Sequence, residues 1–432
     1  MKPTLRDFEI DALGGCDIPS PLRANSFMNI SKRLLFRTDI DELRAQLHDG
    51  LDPPSFELAG PQTKIYFDPA VLRCGIVTCG GLCPGLNDVI RSIVFCLHEK
   101  YGVPTVYGFR FGYEGLVDRK GLPPIELTTR RVNQVHQVGG TILGSSRGPQ
   151  PVDEMVNRLQ DMGIQLLFVI GGDGTLRGGH AIVEEIRRRE LEIAVVGVPK
   201  TIDNDISFID MSFGFDTAVE AARQATRAAY VEASCARAGI GLVKLMGRDS
   251  GFIASFATLA DSQVGICLIP EIEFSMGGLI HAVRQRIERD GSVVIVVAEG
   301  AGQSLLAKEE EWDASGNRRH GDIGAFLRDA IKETFGAQGF PANIKYIDPS
   351  YMIRSLPANA RDANFCLRLG HAAVHAGMAG KTDMVVGSWR RRLTHVPIPL
   401  AVSSRKKIDT NGYLWQTVLS VTGQGEMAFG DD

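Results

Sequence analysis

The segment that decides the fold is LLFVIGGDGTLRGGHAIVEEIRRRELEIAVVGVPKTIDND, residues 166–205. Residues 166–170 and 193–198 are apolar runs of strand length, rich in valine and isoleucine. Between them, the glycines of residues 171–175 indicate a turn, and the apolar spacing predicts a helix over residues 179–189. A strand, a helix and a second strand of these lengths are typical of a parallel sheet with helices on its faces.

The same alternation continues on both sides of this segment. An earlier strand is predicted over residues 74–78, and a helix over 215–233 leads to further strands at 239–245, 265–269 and 293–298. We therefore predict an α/β fold with two Rossmann-like parallel-sheet domains. The predicted limits are an N-terminal extension on the surface of the main body at 1–70, a larger domain over 71–215 plus about 355–400, a smaller domain over 216–354, and a C-terminal segment at 401–432.

Composition excludes several classes of protein. The chain has 432 residues, of which 44% are hydrophobic and 23% charged, with a net charge of -4, so it is not a strongly basic nucleic-acid binder. Eight cysteines are too sparse for a secreted disulfide scaffold. Cys74, Cys79 and Cys83 raise the alternative of a metal site, but no CxxC pair or nearby histidine supports it. The N-terminus resembles no signal peptide, so we expect a cytoplasmic protein with no membrane or nucleic-acid partner.

Three turns rich in glycine or aspartate follow predicted strands, at residues 79–85, 171–175 and 199–205. In open parallel sheets, ligands bind beyond the carboxyl ends of the strands, so we expect these turns to form one site. Glycines let backbone N–H groups approach phosphate oxygens, and a following helix offers its positive end. Asp173 makes sense beside a phosphate if it holds Mg²⁺; a tight turn with a capping aspartate is the alternative.

Asp203 and Asp205 form the most unusual pattern in the sequence. In an extended segment, aspartates two residues apart point the same way. One carboxylate can then accept a proton from an attacking hydroxyl group while the other helps to orient a metal ion. A simple turn is the alternative interpretation of an isolated Asp-Asn-Asp.

Cations and polar groups that suit a phosphorylated ligand follow several of the strands. Arg147 stands among small residues, and Arg248 ends an apolar run. Glu299 follows residues 293–298 and is placed to accept hydrogen bonds from sugar hydroxyl groups. A further short stretch holds Lys345, Tyr351 and Arg354, although for Lys345 and Tyr351 an ordinary surface position is equally good.

From about residue 70 to about residue 390, the order of these motifs resembles that of the 6-phosphofructokinases. The sequence KIYFDP at residues 64–69 resembles the ATP-dependent branch of plants and trypanosomatids. The resemblance implies a glycolytic kinase that transfers a phosphoryl group from Mg-ATP to the C1 hydroxyl group of fructose 6-phosphate. It also implies a homo-oligomer, either a tetramer or a dimer.

The resemblance assigns roles to individual residues. Asp203 is the expected general base, Asp173 the Mg²⁺ ligand, and the other expected catalytic residues are Lys200, Thr201, Asp205 and Arg248. The expected nucleotide-binding residues are Gly80, Arg147, Gly148, Gly172, Asp173, Gly174, Thr175 and Gly178. The expected sugar-phosphate-binding residues are Thr201, Asp203, Met246, Gly247, Arg248, Glu299, Lys345, Tyr351 and Arg354, with Lys345 falling where the family often uses a neighbouring subunit. Where bacterial members have an arginine, this chain has Gly239, and Arg237 is near but not aligned.

The phosphoryl donor is predicted from two positions. Pyrophosphate-using members carry an aspartate where this chain has Gly174, which leaves room for an ATP α-phosphate, but Lys200 is shared with pyrophosphate users. We therefore predict ATP, with pyrophosphate as the alternative. NAD kinases and lipid kinases share the GGDGT motif but lack the others, and a non-catalytic binding subunit is expected to have lost Asp203 or Arg248. A dehydrogenase lacks support because no GxGxxG precedes an acidic ribose partner.

Overall fold

The computed structural model describes residues 3–23, 27–29, 31–306 and 320–426. The chain divides into two units. Unit 1 comprises Met1–Thr201, Ile206–Gly214 and Leu356–Arg405, and unit 2 comprises Ile202–Asp205, Phe215–Ser355 and Lys406–Asp432. Among the described residues, no helix is both long and apolar enough to cross a membrane.

The strands are numbered in chain order. They are β1 (Ile18–Pro19), β2 (Arg33–Leu35), β3 (Ser55–Leu58), β4 (Lys64–Ile65), β5 (Arg73–Thr78), β6 (Thr105–Gly108), β7 (Ile125–Glu126), β8 (Leu166–Gly171), β9 (Ala194–Pro199), β10 (Gly239–Leu245), β11 (Ile266–Leu268), β12 (Ser292–Ala298), β13 (Asn343–Ile347), β14 (Met384–Trp389) and β15 (Arg392–Pro397).

The helices are numbered in the same way. They are α1 (Ile40–His48), α2 (Leu86–Phe95), α3 (Thr129–Val132), α4 (Val152–Asp161), α5 (Asp173–Arg188), α6 (Phe215–Ser234), α7 (Phe252–Ala260), α8 (Met276–Asp290), α9 (Ile323–Ala337), α10 (Ser350–Arg354), α11 (Ala360–Met378), α12 (Ile398–Ala401) and α13 (Tyr413–Thr422). A π-helical segment, Cys96–Tyr101, directly continues α2.

Unit 1 is built on a nine-stranded sheet with the order β2-β3-β15-β14-β9-β8-β5-β6-β7. Its central strands, from β14 to β6, are parallel, and antiparallel strands flank them on both sides. Every residue of β8 and of β9 is buried. Strands covered on both faces are continuously apolar, which is why these two could be found from sequence. The predicted α/β class with parallel sheets is confirmed.

The N-terminal residues differ from the surface extension that the sequence suggested. Strand β3 pairs with β15, and β2 pairs with β3, so both belong to the main sheet. Phe8 and Phe56 are fully buried and pack edge to face, with ring centroids 4.8 Å apart. The partner strand lies more than three hundred residues later in the chain, so no local pattern could have revealed the pairing.

Unit 2 contains a smaller, all-parallel sheet with the order β11-β12-β10-β13. Its apolar core includes Leu242, Ile295, Leu279 and Leu327, from two strands and from helices α8 and α9. The carboxyl ends of β10 and β12 lead directly into the segments that carry Arg248 and Glu299. The sheet therefore brings these two segments to one edge.

The C-terminal residues belong partly to unit 2 rather than standing apart. Gln424 forms a pair of hydrogen bonds with Cys267 of β11, donating to its carbonyl oxygen at 3.0 Å and accepting from its N–H group at 2.7 Å. Within residues 406–426, Gln424 thus contacts the edge strand β11 of the small sheet. The other domain limits stay a prediction.

Candidate active site

Backbone hydrogen bonds connect the three turns at the carboxyl ends of adjacent strands in unit 1. Cys79 N–H donates to the Ile170 carbonyl oxygen at 3.0 Å, and Lys200 N–H donates to the Gly171 carbonyl oxygen at 2.9 Å. Because β5, β8 and β9 are parallel neighbours, their following segments lie along the same edge of the sheet. The first two turns and the start of the third, up to Thr201, are therefore adjacent in unit 1.

The glycine-rich turn after β5 lies against two cations. Lys200 is buried, and its Nζ atom donates a hydrogen bond of 2.8 Å to the Gly81 carbonyl oxygen. A Cβ atom on Gly81 would lie 3.3 Å from Nη2 of Arg147. Gly80 has a φ of +85°, in the left-handed region where glycine is strongly favoured. The turn, Lys200 and Arg147 thus combine close backbone approach with positive charge, as a phosphate group requires.

The GGDGT segment is helical from its third residue. Helix α5 begins at Asp173 with Gly172 as its N-cap, so the predicted turn is shorter and the helix starts six residues before its predicted beginning. Gly174, Gly178 and Gly179 weaken local helix propensity, and tertiary packing overrides them. The N–H groups at the start of α5 therefore point past Gly172, beside the glycine-rich turn.

The glycines of this segment serve different purposes. A Cβ atom on Gly178 would lie 2.7 Å from the ring of Tyr113, whose hydroxyl group donates to the Thr175 carbonyl oxygen at 2.6 Å. Gly178 thus allows close packing, and Thr175 is itself buried. A Cβ atom on Gly174, in contrast, would have no neighbour within 4 Å. Among these residues, Gly174 leaves open space at the start of the helix.

Asp173 has the chemistry of a Mg²⁺ ligand. Its side chain is 26% exposed, and its Oδ2 atom accepts a hydrogen bond of 3.1 Å from Nε of Arg177. Mg²⁺ is usually held by one or two carboxylates together with substrate phosphates and water, so a single carboxylate beside a phosphate cradle fits the ion. By contrast, the thiols of Cys74, Cys79 and Cys83 are buried, and burial raises the pKa of Cys79 to about 12. A metal site at these cysteines has no support.

The PKTIDND segment is a turn and not the extended segment that we expected. Residues 202–203 form a hydrogen-bonded turn, and Asn204 adopts a left-handed φ of 55°. Asp203 and Asp205 therefore do not lie on one side of a strand, contrary to our expectation. The two carboxylates still influence each other electrostatically. The chain passes from unit 1 to unit 2 after Thr201, so Lys200 and Asp203 are close in sequence but belong to different units.

Asp203 lies in a cluster of charged groups of unit 2. Its Oδ1 atom is buried and has no hydrogen-bond partner among the described residues. Burial raises the pKa of this carboxyl group most, and the charges of Asp205 and Glu299 raise it further, while the Arg354 charge and a hydrogen bond from Arg248 N–H lower it. The net effect raises the pKa of Asp203 from 3.8 to about 7. A carboxyl group that titrates near neutral pH suits a general base.

The segments after β10 and β12 are packed against each other by glycines. Gly300 N–H donates to the Gly247 carbonyl oxygen at 3.0 Å, and a Cβ atom on Gly300 would lie only 1.8 Å from the Arg248 carbonyl oxygen. Gly247 has a φ of +126°, and Met246 is fully buried. The buried Met246 side chain has no exposed surface for a substrate to contact. Its predicted role in substrate binding stays a prediction.

The three residues predicted between positions 345 and 354 differ in burial. Lys345 is half-buried on β13, Arg354 ends α10 near Asp203, and Tyr351 is 84% exposed. The structure therefore brings Arg354 to the cluster around Asp203. Roles for Lys345 and Tyr351 stay predictions.

Gly239, which stands where the resemblance implies an arginine in bacterial members, has no room for a side chain in this fold. It is the first residue of β10, and a Cβ atom there would lie 1.9 Å from the Ala233 carbonyl oxygen. Arg237 lies just before β10 and lines a cavity of about 880 Å³ at the amino edge of the small sheet, together with Arg286 and Asp290. Asp203 and Glu299 are associated with the opposite, carboxyl edge. Arg237 is therefore no substitute within unit 2.

A family model described as Phosphofructokinase matches residues 73–377. The chain belongs to the phosphofructokinase family. It is 47% identical to the ATP-dependent 6-phosphofructokinase of Borreliella burgdorferi, with 97% of each chain covered. It is 46% identical to the ATP-dependent 6-phosphofructokinase of Trypanosoma brucei brucei, over 97% of this chain and 88% of the relative. The ATP-dependent 6-phosphofructokinase 7 of Arabidopsis thaliana is 45% identical, over 94% of this chain and 85% of the relative.

Solved structures of phosphofructokinases share the fold. A pyrophosphate-dependent phosphofructokinase from Marinobacter aquaeolei aligns with a TM-score of 0.68 at 20% identity, covering 83% of this chain and 93% of that one. The T-state phosphofructokinase of Pichia pastoris aligns with a TM-score of 0.63 at 22% identity, covering 92% of this chain and 47% of that one. The predicted phosphofructokinase-like fold is confirmed, and so is the resemblance to the plant and trypanosomatid branch.

Two residues of this phosphofructokinase site were not found from the sequence. Ser250 is fully buried and donates a hydrogen bond of 3.4 Å to the Asp203 carbonyl oxygen. The Glu271 carboxylate accepts hydrogen bonds from Gly251 N–H, at 3.1 and 3.0 Å, and from Ile408 N–H at 2.9 Å. It therefore satisfies a free backbone donor at the start of α7. Glu271 lies in the sequence Ile-Pro-Glu at residues 269–271, and its position shortly after β11 is the signal from which it could have been found.

Proposed function

We propose that this phosphofructokinase transfers the γ-phosphoryl group of ATP to the C1 hydroxyl group of fructose 6-phosphate, giving fructose 1,6-bisphosphate and ADP. The observation that carries the proposal is the Asp203 carboxylate. Its pKa is raised to about 7, and its buried Oδ1 atom has no partner among the described residues. A buried acceptor of this kind is costly unless a ligand supplies its hydrogen bond, and a substrate hydroxyl group does so.

On the acceptor side, Asp203 takes the proton from the attacking hydroxyl group as the bond to phosphorus forms. Arg248 donates its backbone N–H to the carboxylate, which holds Asp203 in place, and the positive charge of its guanidinium group would neutralise charge on the transferring group. Glu299 accepts hydrogen bonds from the sugar, and Arg354 binds its phosphate. Because Arg354 and Glu299 act on the pKa of Asp203 in opposite directions, sugar binding and proton affinity are coupled.

On the donor side, the glycine-rich turn, Arg147 and Lys200 bind the phosphates of the nucleotide. Lys200 also holds the turn through the Gly81 carbonyl oxygen, so its charge is fixed before the donor arrives. Gly80, Gly148 and Gly172 allow close approach of backbone N–H groups, and Asp173 would hold Mg²⁺. When bound, Mg²⁺ neutralises charge on the β- and γ-phosphates. Thr201 and Asp205 complete the turn that carries the base.

ATP is the proposed donor for two reasons. The relatives of 44–49% identity are named ATP-dependent, and the space around the Gly174 Cα atom is open where a carboxylate would stand in a pyrophosphate user. Lys200 alone is compatible with either donor. Pyrophosphate therefore remains the competing candidate.

A donor assay tests the proposal. Purified protein is incubated with fructose 6-phosphate and either ATP or pyrophosphate, with and without Mg²⁺, and fructose 1,6-bisphosphate is measured. We expect product with ATP and Mg²⁺ and almost none when Mg²⁺ is chelated. Product with pyrophosphate alone refutes the donor, and absence of product with both donors refutes the function.

We also propose a homo-oligomeric, cytoplasmic enzyme. Lys345 is half-buried on the outer strand β13, a position from which a side chain can reach a neighbouring copy. Sedimentation velocity at micromolar concentration measures the assembly. A monomer that remains fully active refutes a site shared between copies.

A further inference from the structure

Arg177 contacts Asp173 directly and lies four residues after it on α5. Its Nε atom donates to Oδ2 of Asp173 at 3.1 Å, and its Nη2 atom donates to the Val402 carbonyl oxygen. Val402 directly follows α12, a separate element of unit 1. One guanidinium group therefore connects the Asp173 carboxylate with a fixed backbone atom.

This arrangement restrains Asp173 more than an ordinary surface ion pair does. A pair between two long, mobile side chains leaves both free to rotate. Here the second contact is to the backbone, so the guanidinium plane has one orientation, and the fork geometry of arginine makes both contacts possible. Among the described residues, Oδ1 of Asp173 accepts no hydrogen bond, whereas Oδ2 is held by Arg177. Oδ2 of the Asp173 carboxylate is thus restrained, and Oδ1 can accept a further ligand.

We propose that Arg177 is a positioning residue that holds Asp173 so that Oδ1 can bind the divalent cation that accompanies the donor. The proposal rests on the proposed function, because it assumes that Asp173 is a metal ligand. Residues that hydrogen-bond to a ligating carboxylate commonly change metal affinity by about 10–100-fold when they are removed. The Arg177 side chain is 59% exposed, so we expect the lower end of that range.

The opposing effect is charge repulsion between Arg177 and the cation. An exposed guanidinium group is strongly screened by water and salt, so the repulsion is weak compared with the loss of a fixed ligand orientation. The sign of the measured change distinguishes the two effects. If repulsion dominates, removing Arg177 tightens metal binding.

The test measures Mn²⁺ binding by electron paramagnetic resonance in the presence of saturating ADP. It compares the full-length wild-type protein with Arg177→Gln and Arg177→Lys. We expect Arg177→Gln to raise the Kd for Mn²⁺ about 10-fold, with Arg177→Lys in between, because lysine keeps the charge but not the fork. Arg188→Gln is the control, since Arg188 lies on the same helix and pairs with Glu185 at 2.6 Å. It should leave the Kd unchanged.

A second variant separates positioning from direct contact with the nucleotide. In an Asp173→Asn background, Arg177→Gln should change the Kd for Mn²⁺ no further, because the two residues act as a unit. Affinity for ADP without metal should not change in Arg177→Gln. An unchanged or lower Kd for Mn²⁺, or loss of metal-free ADP binding, overturns the proposal. None of these readouts requires phosphoryl transfer, so failure of the proposed function would be recognised separately.

Discussion

Replacing Asp203 with asparagine changes the proposed proton acceptor by a single functional group. Asparagine retains the size of aspartate and can still accept the hydrogen bond from Arg248 N–H, but it takes no proton at neutral pH. A positioned general base contributes roughly 10²–10⁴-fold to the rate. We therefore expect kcat to fall by about that factor, while the KM for fructose 6-phosphate changes little.

The same substitution is expected to stabilise the fold. Because the folded-state pKa of Asp203 lies above the ordinary value of 3.8, the wild-type fold is penalised as pH rises from about 4 to about 7 and the carboxyl group ionises. The penalty grows over this pH range and is fully present above about pH 7. A neutral amide does not ionise, so Asp203→Asn should have the higher free energy of unfolding at pH 8 and little advantage at pH 4.

Three measurements check this prediction. Steady-state kinetics with ATP and fructose 6-phosphate give kcat and KM, and wild-type kcat/KM should rise tenfold per pH unit below about pH 7 and level off above it. Urea unfolding at pH 4 and pH 8 gives the stability difference. Asp52→Asn, at an exposed position between α1 and β3, is the control and should change neither kcat nor the free energy of unfolding. A kcat within tenfold of wild type, or a kcat/KM that is flat between pH 6 and pH 8, refutes the reasoning.

Three other substitutions test the donor side, the acceptor side and the main sheet. Gly174→Asp should fold normally and lower kcat/KM with ATP by about 10³-fold, because two like unit charges about 4 Å apart, the new carboxylate and a phosphate, repel by about 4 kcal/mol. Gly174→Asn should keep most activity in the same kinetic assay. An equal loss of activity in both variants contradicts a charge effect. Gly300→Ala should raise the KM for fructose 6-phosphate at least about tenfold, because the new Cβ atom clashes with the Arg248 carbonyl oxygen. Gly336→Ala on α9 is the control and should stay active, since a Cβ atom there has no neighbour within 4 Å. Glu57→Gln should lower the free energy of unfolding by about 3 kcal/mol at pH 7 in urea titrations: burial alone would raise the pKa of Glu57, but His395 and Lys381 lower it to about 2. This stabilisation is present above pH 4.5, the ordinary pKa of a glutamate, and is lost as pH falls toward 2. The free energies of unfolding of wild type and Glu57→Gln should therefore converge near pH 2. A difference between them that does not depend on pH refutes the prediction.

Much of the fold could be predicted because burial leaves a local signature. Strands covered on both faces must be apolar throughout, so β8 and β9 were found within one residue of their observed bounds. The position of the turns followed as well, since a parallel sheet places functional turns after its strands. For this reason GGDGT and PKTIDND are recognisable as site segments from the sequence alone.

Other features depend on residues that are distant in sequence. Strand β3 finds its partner in β15, and helix α5 extends through glycines that disfavour it locally. The left-handed conformation of Asn204 forms a turn, so Asp203 and Asp205 do not have the extended geometry that their spacing suggests. Local propensity does not contain the packing energy that decides these cases.

The sequence by itself determined the residue types of the site, the order of the motifs and the family. Only the tertiary structure decided what surrounds each group. The pKa of Asp203 depends on Glu299 and Arg354, and the orientation of Asp173 depends on Arg177 and the Val402 carbonyl oxygen. Charge and hydrogen bonding act over a few ångströms, whatever the separation along the chain, so a pattern can name the acid but not its proton affinity.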